Sequence, residues 1–143
     1  MKRQSGFSLI EIMIVVMIIG GIAVMALKGI GQRMAKIKIG KTQAILGQLK
    51  SGLFEYSEVI GHVPTMKEGG LKALVQKPSG DAGAKWKESI LEGGELPQDA
   101  WGFDFEYNNP PKVLKKYRKY EIFSRGELQV DDAEVDPALS IGE

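Results

Sequence analysis

The most prominent pattern in the sequence is an uninterrupted apolar stretch near its N-terminus. Residues 7–27, FSLIEIMIVVMIIGGIAVMAL, contain a single ionisable side chain, that of Glu11. As a helix the stretch spans about 31 Å, which matches the hydrocarbon core of a bilayer at about 30 Å. It is apolar on every side, whereas a core helix of a soluble domain carries an apolar stripe. The stretch therefore predicts a transmembrane helix.

A second, periodic pattern follows the apolar stretch. No proline occurs from Gln32 to Ile60, and apolar residues recur there at steps of three and four, which is typical of an amphipathic helix. This stripe consists of Ala35, Ile39, Thr42, Leu46, Leu49, Leu53, Tyr56 and Ile60. Gly61 and Pro64 are expected to end the helix. We predict that residues 28–60 continue the first helix and pack on the chain's own C-terminal domain, with a free coiled coil as the alternative.

Residues 61–143 predict a small α+β domain. Residues 68–76 contain the apolar run LKALV and predict a short helix. Residues 78–100 are rich in glycine, proline and charge and predict a long loop with one helical turn near 86–91.

The remaining residues of this domain predict a hairpin and an acidic tail. WGFDFEY at 101–107 alternates between aromatic and polar or small residues, which predicts a half-buried antiparallel strand. A turn at 108–111 leads to a returning strand at 119–124, and residues 125–143 form an acidic loop and tail. The predicted fold class is α+β, with a long N-terminal helix packed on a small antiparallel sheet.

A short basic leader precedes the apolar stretch. Lys2 and Arg3 lie in residues 1–6, and Gly6, which lacks a side chain, directly precedes Phe7. No A-x-A sequence follows the stretch, as the cleavage site of a secretory signal peptide would require. A protease that cuts after Gly6 would remove the leader and keep the whole helix.

Glu11 supports cleavage at this point. A carboxylate in the membrane costs roughly 2.5–3.5 kcal/mol and therefore needs a partner, but residues 7–27 contain no lysine or arginine. Cleavage after Gly6 would create a free amine on Phe7, one helical turn from Glu11. The amine could pair within its own chain or with Glu11 of a neighbour. A carboxylate that is simply protonated in lipid is the alternative, and it leaves the combination of Gly6, Phe7 and Glu11 unexplained.

The composition excludes several kinds of chemistry. The chain has no cysteine and one histidine, His62, which excludes disulfides, thiolate metal sites and multi-histidine metal centres. Neither of the glycine-rich motifs that bind nucleotide phosphates, GxxxxGK[ST] and GxGxxG, occurs. His62 follows Gly61 at a predicted helix end, where a loop residue is expected. We therefore predict that the protein is not an enzyme.

The total charge of +1 hides a strong asymmetry along the chain. Residues 1–50 carry eight basic side chains and one acidic side chain, whereas residues 121–143 carry seven acidic side chains and one basic side chain. The basic residues at 28–41 are not interleaved with aromatic residues, as binding of single-stranded nucleic acid would favour. We interpret them as a collar that faces lipid headgroups, and expect no nucleic-acid partner.

Gly6, Phe7, Glu11 and the run FSLIEIMIVVMIIG together resemble the type IV pilin superfamily. The resemblance implies that a prepilin peptidase cuts after Gly6 at the cytoplasmic face and methylates the new amine of Phe7. It also implies that Glu11 registers subunits in a helical filament. Lys28 stands where members commonly have a proline, so the helix is expected to be straighter there or to melt locally at the glycines that follow.

Three motifs in the second half of the chain narrow this resemblance. VPTMKEGGLKALVQKP at 63–78, LPQDAWGFDFEY at 96–107 and FSRG at 123–126 have the order and spacing found in the major pseudopilins of type II secretion. The resemblance implies a pilin-like fold and a structural subunit that self-assembles into a pseudopilus filament. The implied partners are the prepilin peptidase, other pseudopilins and inner-membrane secretion components.

The resemblance also implies a location. The protein would span the bacterial inner membrane once, with its C-terminal domain in the periplasm, and would be extruded into a periplasmic pseudopilus. A count of basic residues on the two sides of the apolar stretch points the other way, because more of them follow it than precede it. Two alternatives remain: a type IV pilin of another machine, for adhesion or DNA uptake, and a single-pass anchored binding module that does not polymerise.

The acidic C-terminal segment is a candidate calcium site. Ca²⁺ takes six to eight oxygen ligands and tolerates irregular loops. Major pseudopilins bind calcium in the corresponding loop, and this resemblance implies a site formed by Ser124, Arg125, Glu127, Asp131 and Asp132. The family's Gly-Ala-Asp-Gly stretch is missing after Gly126, and Leu128 stands where the pattern has a carboxylate. A solvated acidic tail is the alternative.

Overall fold

The computed structural model describes residues 7–143, apart from the side chains at 28, 29 and 133. The chain divides into two compact units, Met1–Ile37 and Lys38–Glu143. One helix, α1, runs over Leu9–Ile60 and contributes to both units. The predicted continuation of the apolar helix into the amphipathic helix is therefore confirmed, and the helix is continuous through residues 28–31.

In the first unit, the apolar side chains of α1 are exposed on all sides. Every large apolar residue from Leu9 to Leu27 is exposed, from 47% at Val15 to 83% at Leu9. Within the described residues, α1 is the one helix long and apolar enough to cross a membrane. Its most apolar window is not covered by any other part of the described chain.

In the second unit, α1 supplies one side of the hydrophobic core. The predicted stripe is buried from Thr42 onward, whereas Ile39 is half-buried and Ala35 is exposed. The buried members of the stripe are Thr42, Leu46, Leu49, Leu53, Tyr56 and Ile60. The Thr42 hydroxyl is satisfied in this core because it accepts a hydrogen bond from the backbone N–H of Ala100 at 3.1 Å. The prediction that the helix packs on the chain's own domain is confirmed.

Helix α1 ends directly before Gly61, as the sequence predicts. Ile60 is its last residue, and Gly61 has a φ of 101°, a conformation that favours glycine. The short helix predicted at 68–76 is instead two 3₁₀ helices, Met66–Glu68 and Gly70–Leu74. Gly69 and Gly70 both have positive φ angles, so an α-helix does not run through them.

The next segment contains a short helix at a place other than the predicted one. Helix α2 runs over Asp81–Lys85, and the helical turn predicted near 86–91 is wrong. Long-range hydrogen bonds fix this irregular stretch: the indole N–H of Trp86 donates to Ala73 O at 3.0 Å, and Ile90 N donates to Leu74 O at 2.8 Å. These bonds attach the stretch to the second 3₁₀ helix.

The sheet is antiparallel and has three short strands in the order β1, β2, β3. They are β1 at Glu106–Asn108, β2 at Glu121–Phe123 and β3 at Ser140–Gly142. Tyr107 is paired with Ile122, and Ile122 with Ile141. The predicted returning strand is confirmed as β2. The prediction that 125–143 is only loop and tail is wrong, because its end adds β3 to the sheet.

The strand predicted at 101–107 is wrong over most of its length. Asp99 Oδ1 accepts hydrogen bonds from the backbone N–H groups of Trp101 and Phe103, both at 2.9 Å, and Gly102 has a φ of 88°. An aspartate that binds the backbone two and four residues ahead forms a tight turn. The alternation of aromatic residues therefore belongs to a turn followed by the short strand β1.

The helix stripe generates a prediction about stability. Leu53 is fully buried and the adjacent Phe54 is 67% exposed. We expect Leu53→Ala to lower the free energy of unfolding by about 2–5 kcal/mol, because it removes core contacts and leaves a cavity. The matched control Phe54→Ala should change it by less than about 0.5 kcal/mol. Urea unfolding of residues 32–143 measures both values, and equal midpoints for the two variants would contradict the packing described.

Candidate functional site

The N-terminal candidate site lies at the start of α1. Gly6 is outside the described residues, whereas Phe7 is 79% exposed and Glu11 is exposed in the first turn of the helix. The backbone N–H of Glu11 donates to Ser8 Oγ at 3.3 Å, so Ser8 caps the helix. A carboxylate in the first turn is favoured by the helix dipole.

This geometry leaves the carboxylate of Glu11 and the backbone start at Phe7 accessible to another molecule. No basic side chain occurs in residues 7–27, and in the described structure the Glu11 side chain forms no salt bridge. An amine at Phe7 would lie at the same end of α1 as Glu11. The arrangement is suited to an ion pair between neighbouring chains in a medium of low dielectric constant. The roles predicted for Gly6, Phe7 and Glu11 stay predictions.

The acidic C-terminal segment is organised around Arg125. Its guanidinium forms two contacts with the carboxylate of Glu106, of which the one from Nη2 to Oε2 measures 3.1 Å. Nη2 also donates to Asp132 Oδ1 at 2.6 Å, and Nη1 donates to Val130 O at 2.7 Å. The hydrogen bonds to Glu106 and then to Asp132 raise the pKa of Arg125 above its usual value. Arginine thus closes the loop 125–132 onto strand β1.

The hydroxyl of Ser124 is bound to Asp99. Ser124 is buried, and its hydroxyl donates to Asp99 Oδ2 at 2.5 Å and accepts from the backbone N–H of Gly126 at 3.0 Å. Asp99, which also forms the turn before β1, is buried too. This pair links the turn to the end of β2.

The donor atoms as placed do not fit a calcium ion. The hydroxyl of Ser124 is engaged by Asp99, and Arg125 takes one oxygen of Asp132 together with the carbonyl of Val130. Within the described residues, no three acidic or histidine side chains converge as metal ligands would. Of the predicted residues, Asp132 lies on the guanidinium of Arg125 and Ser124 is bound to Asp99. Glu127 and Asp131 are exposed. Calcium binding itself stays a prediction.

The sequence did not reveal the importance of Glu121, which lies fully buried in the central strand β2. Its carboxylate accepts four hydrogen bonds, from the side chain of Asn108 at 2.7 Å and from the backbone N–H groups of Lys112, Val113 and Leu114 at 2.8, 2.8 and 2.7 Å. Burial acts to raise the pKa of Glu121, but these hydrogen bonds outweigh it and hold the pKa below its usual value.

The single histidine, His62, contacts a residue that caps the first 3₁₀ helix. His62 lies in the bend after α1, with Nε2 at 2.9 Å from Glu68 Oε1. The other oxygen of Glu68 accepts hydrogen bonds from the backbone and hydroxyl of Thr65, which completes a capping box at the first 3₁₀ helix. Burial acts to raise the pKa of Glu68, but the bonds from Thr65 and His62 outweigh it and lower the pKa. The histidine was predicted to be a loop residue, and this is confirmed.

Comparison with known proteins matches two family models to the chain, one to its N-terminal part and one to most of the remainder. Residues 1–27 match a family model described as the prokaryotic N-terminal methylation motif. Residues 30–139 match the family model described as type II secretion system (T2SS), protein G. The two matches meet within helix α1 and together cover nearly the whole chain.

Individual relatives agree with these matches. The chain is 33% identical over 139 residues to the type II secretion system core protein G of Klebsiella pneumoniae, covering 95% of this chain and 94% of that protein. It is 34% identical over 111 residues to the protein of the same name from Pseudomonas aeruginosa, covering 76% of each. The crystal structure of the major pseudopilin from the type 2 secretion system of enterohaemorrhagic Escherichia coli aligns with a TM-score of 0.62 at 31% identity, covering 76% of this chain and 86% of that one.

Glu121 generates a prediction about acid stability. Because the pKa of Glu121 is lowered by folding, its contribution is fully present above the unfolded pKa of about 4.3 and is lost as the pH falls through the folded value. We expect Glu121→Gln to lower the free energy of unfolding by about 2–3 kcal/mol at pH 7, since an amide N–H₂ would face backbone donors. The difference from wild type should shrink as the pH falls below about 4.

Urea unfolding of residues 32–143 between pH 7 and pH 3 measures this difference. Glu58→Gln is the matched control, because Glu58 is exposed on α1. A destabilisation by Glu121→Gln that stays constant over the whole pH range would contradict a charged carboxylate at this position.

Arg125 and calcium are tested by one set of thermal melts. We expect Arg125→Ala to lower the stability of residues 32–143 by about 1–3 kcal/mol, because Glu106, Asp132 and Val130 lose a shared donor. Melts in calcium and in chelator test the calcium prediction. A rise in wild-type melting temperature that Asp131→Ala and Asp132→Ala remove would support it, and equal melting temperatures would contradict it.

Proposed function

Since the chain belongs to the protein G family of type II secretion, the family of the major pseudopilins, we propose that it polymerises through residues 7–27 of α1 after cleavage between Gly6 and Phe7. As a member of this family it is a structural subunit of a pseudopilus and not an enzyme. The N-terminal methylation motif also implies processing by a prepilin peptidase.

The observation that carries the proposal is the uncovered apolar half of α1. Its large apolar side chains from Leu9 to Leu27 are all exposed, while residues 38–143 form a compact unit with a core of its own. Apolar surface on this scale is stable only against lipid or against other apolar surface. A helix that exchanges lipid for neighbouring copies of itself meets this requirement in the membrane and in the filament.

The charges at the start of α1 support the proposed processing. In residues 7–27 the amine created by cleavage would be the only cationic group, and Glu11 is the only acidic one. Ser8 binds the backbone N–H of Glu11 and leaves its carboxylate exposed. Pairing of this carboxylate with the Phe7 amine of a neighbouring subunit would offset the cost of a charge in the membrane. The same pairing would set the axial register between subunits.

The family and the methylation motif indicate a membrane-anchored protein of a periplasmic pseudopilus. We further propose that it spans the inner membrane once, with residues 38–143 in the periplasm. The leader must then meet the peptidase at the cytoplasmic face, against the count of basic residues on the two sides. Other pseudopilins and inner-membrane secretion components are the proposed partners.

The cleavage position is tested with Gly6→Val. We expect this variant to accumulate as an uncut precursor, because a branched side chain replaces the residue without a side chain at the cleavage point. Gly31→Val is the control, since a Cβ at Gly31 meets nothing within 4 Å, and it should be cut normally. Intact-mass measurement and N-terminal sequencing of the membrane fraction distinguish the two forms. Mature Gly6→Val that begins at Phe7 would refute the proposed recognition.

The role of Glu11 is tested with Glu11→Leu in the same cells. We expect this variant to be inserted and cut but to assemble at least about tenfold less filament, because the registering ion pair is lost while insertion becomes easier. Glu92→Gln, which removes an exposed carboxylate far from α1 in sequence, should assemble as wild type does. Sheared and pelleted filaments provide the measurement. Wild-type amounts of Glu11→Leu filament would assign Glu11 another role.

A further inference from the structure

The part of α1 just beyond the apolar stretch has an exposed face with no partner. Arg33, Lys36, Ile37 and Lys41 follow one another at helical spacings of three, one and four, which places them on one side of a helix. All four are exposed, and Ile37 is 62% exposed. In the described part of the chain none of the three cations forms a salt bridge. We call these four residues the basic face.

The basic face is an apolar centre with a cationic rim. Ile37 is flanked by Lys36 and Lys41 on the same side of the helix, and Gly40 between them leaves the surface flat. Protein interfaces typically combine an apolar centre with a polar, charged rim. The complementary surface would therefore present an apolar side chain surrounded by carboxylates.

The chain itself carries such a surface at residues 127–131, which we call the acidic tip. Leu128 is 84% exposed, the highest value among the described large apolar residues, and it lies between Glu127 and Asp131. Both acids are exposed, and neither forms a salt bridge in the described structure.

The acidic tip is a fixed loop, so that little conformational freedom is lost when it binds. Arg125 holds Val130 O at 2.7 Å, and the amide of Gln129 donates to Gly126 O at 2.8 Å. Gln129 has a φ of 50°, a left-handed conformation that turns the backbone next to Leu128. Val135, which follows the tip in sequence, is buried and anchors this segment.

We propose that the acidic tip of one subunit docks on the basic face of a second copy of the chain, with Leu128 packed against Ile37. This inference rests on the proposed function, which brings many copies side by side. Opposite charges on two different surfaces of one chain define a head-to-tail contact, which propagates an open filament wherever its rotation does not close into a ring. The charges select the partner surface and the apolar pair anchors it.

The absence of cysteine from the chain allows a direct test. Full-length Leu128→Cys and Ile37→Cys chains are co-expressed, filaments are collected, and a short thiol crosslinker is added. We expect a crosslinked dimer of the two different chains, because each chain carries a single cysteine and the two types can be joined only between copies. Leu128→Cys co-expressed with Phe54→Cys is the control, since Phe54 is exposed elsewhere on α1, and it should give no product.

Charge exchange tests the polar part of the contact. Glu127→Lys should reduce the amount of pelleted filament about tenfold, because a like charge then meets the basic face. Combining it with Lys41→Glu in the same chain should restore the filament. Glu92→Lys, a reversal at another exposed position, should leave it unchanged.

The outcomes separate the two proposals. If wild-type chains form no filament, the proposed function fails and the docking contact fails with it. If wild-type filaments form but the Leu128→Cys and Ile37→Cys chains do not crosslink, the docking contact alone is refuted. Failure of Lys41→Glu to rescue Glu127→Lys would likewise refute the pairing. If the basic face binds anionic lipid instead, Lys41→Glu alone weakens binding to anionic vesicles while the crosslink is missing from filaments.

Discussion

Burial of the stripe on helix α1 is the interaction on which the rest of the folded unit depends. The three strands of the sheet have three residues each, and a sheet of this size is not stable without a surface to pack on. Leu49, Leu53 and Tyr56 provide that surface, and each is fully buried. The 3₁₀ helices and the sheet residues around Ile122 complete the same core. The helix that we propose as the membrane anchor and filament contact is therefore also the helix that holds the domain together.

The chain has no cysteine, and two charged side chains, Glu121 and Arg125, connect segments that are separate in sequence. Glu121 gathers three consecutive backbone N–H groups from the segment between β1 and β2. Arg125 ties the loop after β2 to Glu106 in β1. Hydrogen bonds to charged groups are stronger than neutral ones, and each of these side chains makes several. Long segments without regular structure are thereby attached to a very small sheet.

Helix α1 could be predicted from the sequence to a greater extent than the sheet or the shorter helices. Periodicity over many residues identified the buried face of α1, and Gly61 marked its end. The aromatic alternation at 101–107 was misleading, because hydrogen bonds from two backbone groups to Asp99 formed a turn there instead. Glu121 was missed because an acidic residue between Tyr120 and Ile122 gives no signal of burial in the sequence. Its burial results from residues 112–114, which are close to it only in the folded chain. Arg125 likewise acts through Glu106, 19 residues away.

The way Glu121 is bound determines which surface residues can be substituted without loss of its hydrogen bonds. The carboxylate recognises backbone N–H groups at 112–114 and not the side chains of those residues. These hydrogen bonds therefore do not depend on the exposed side chains that the loop carries. Lys112, Lys115 and Lys116 are exposed on it, so the loop presents a patch of positive charge on a constant backbone. The charge of this patch can therefore change by substitution while the hydrogen bonds from the loop backbone to Glu121 stay in place.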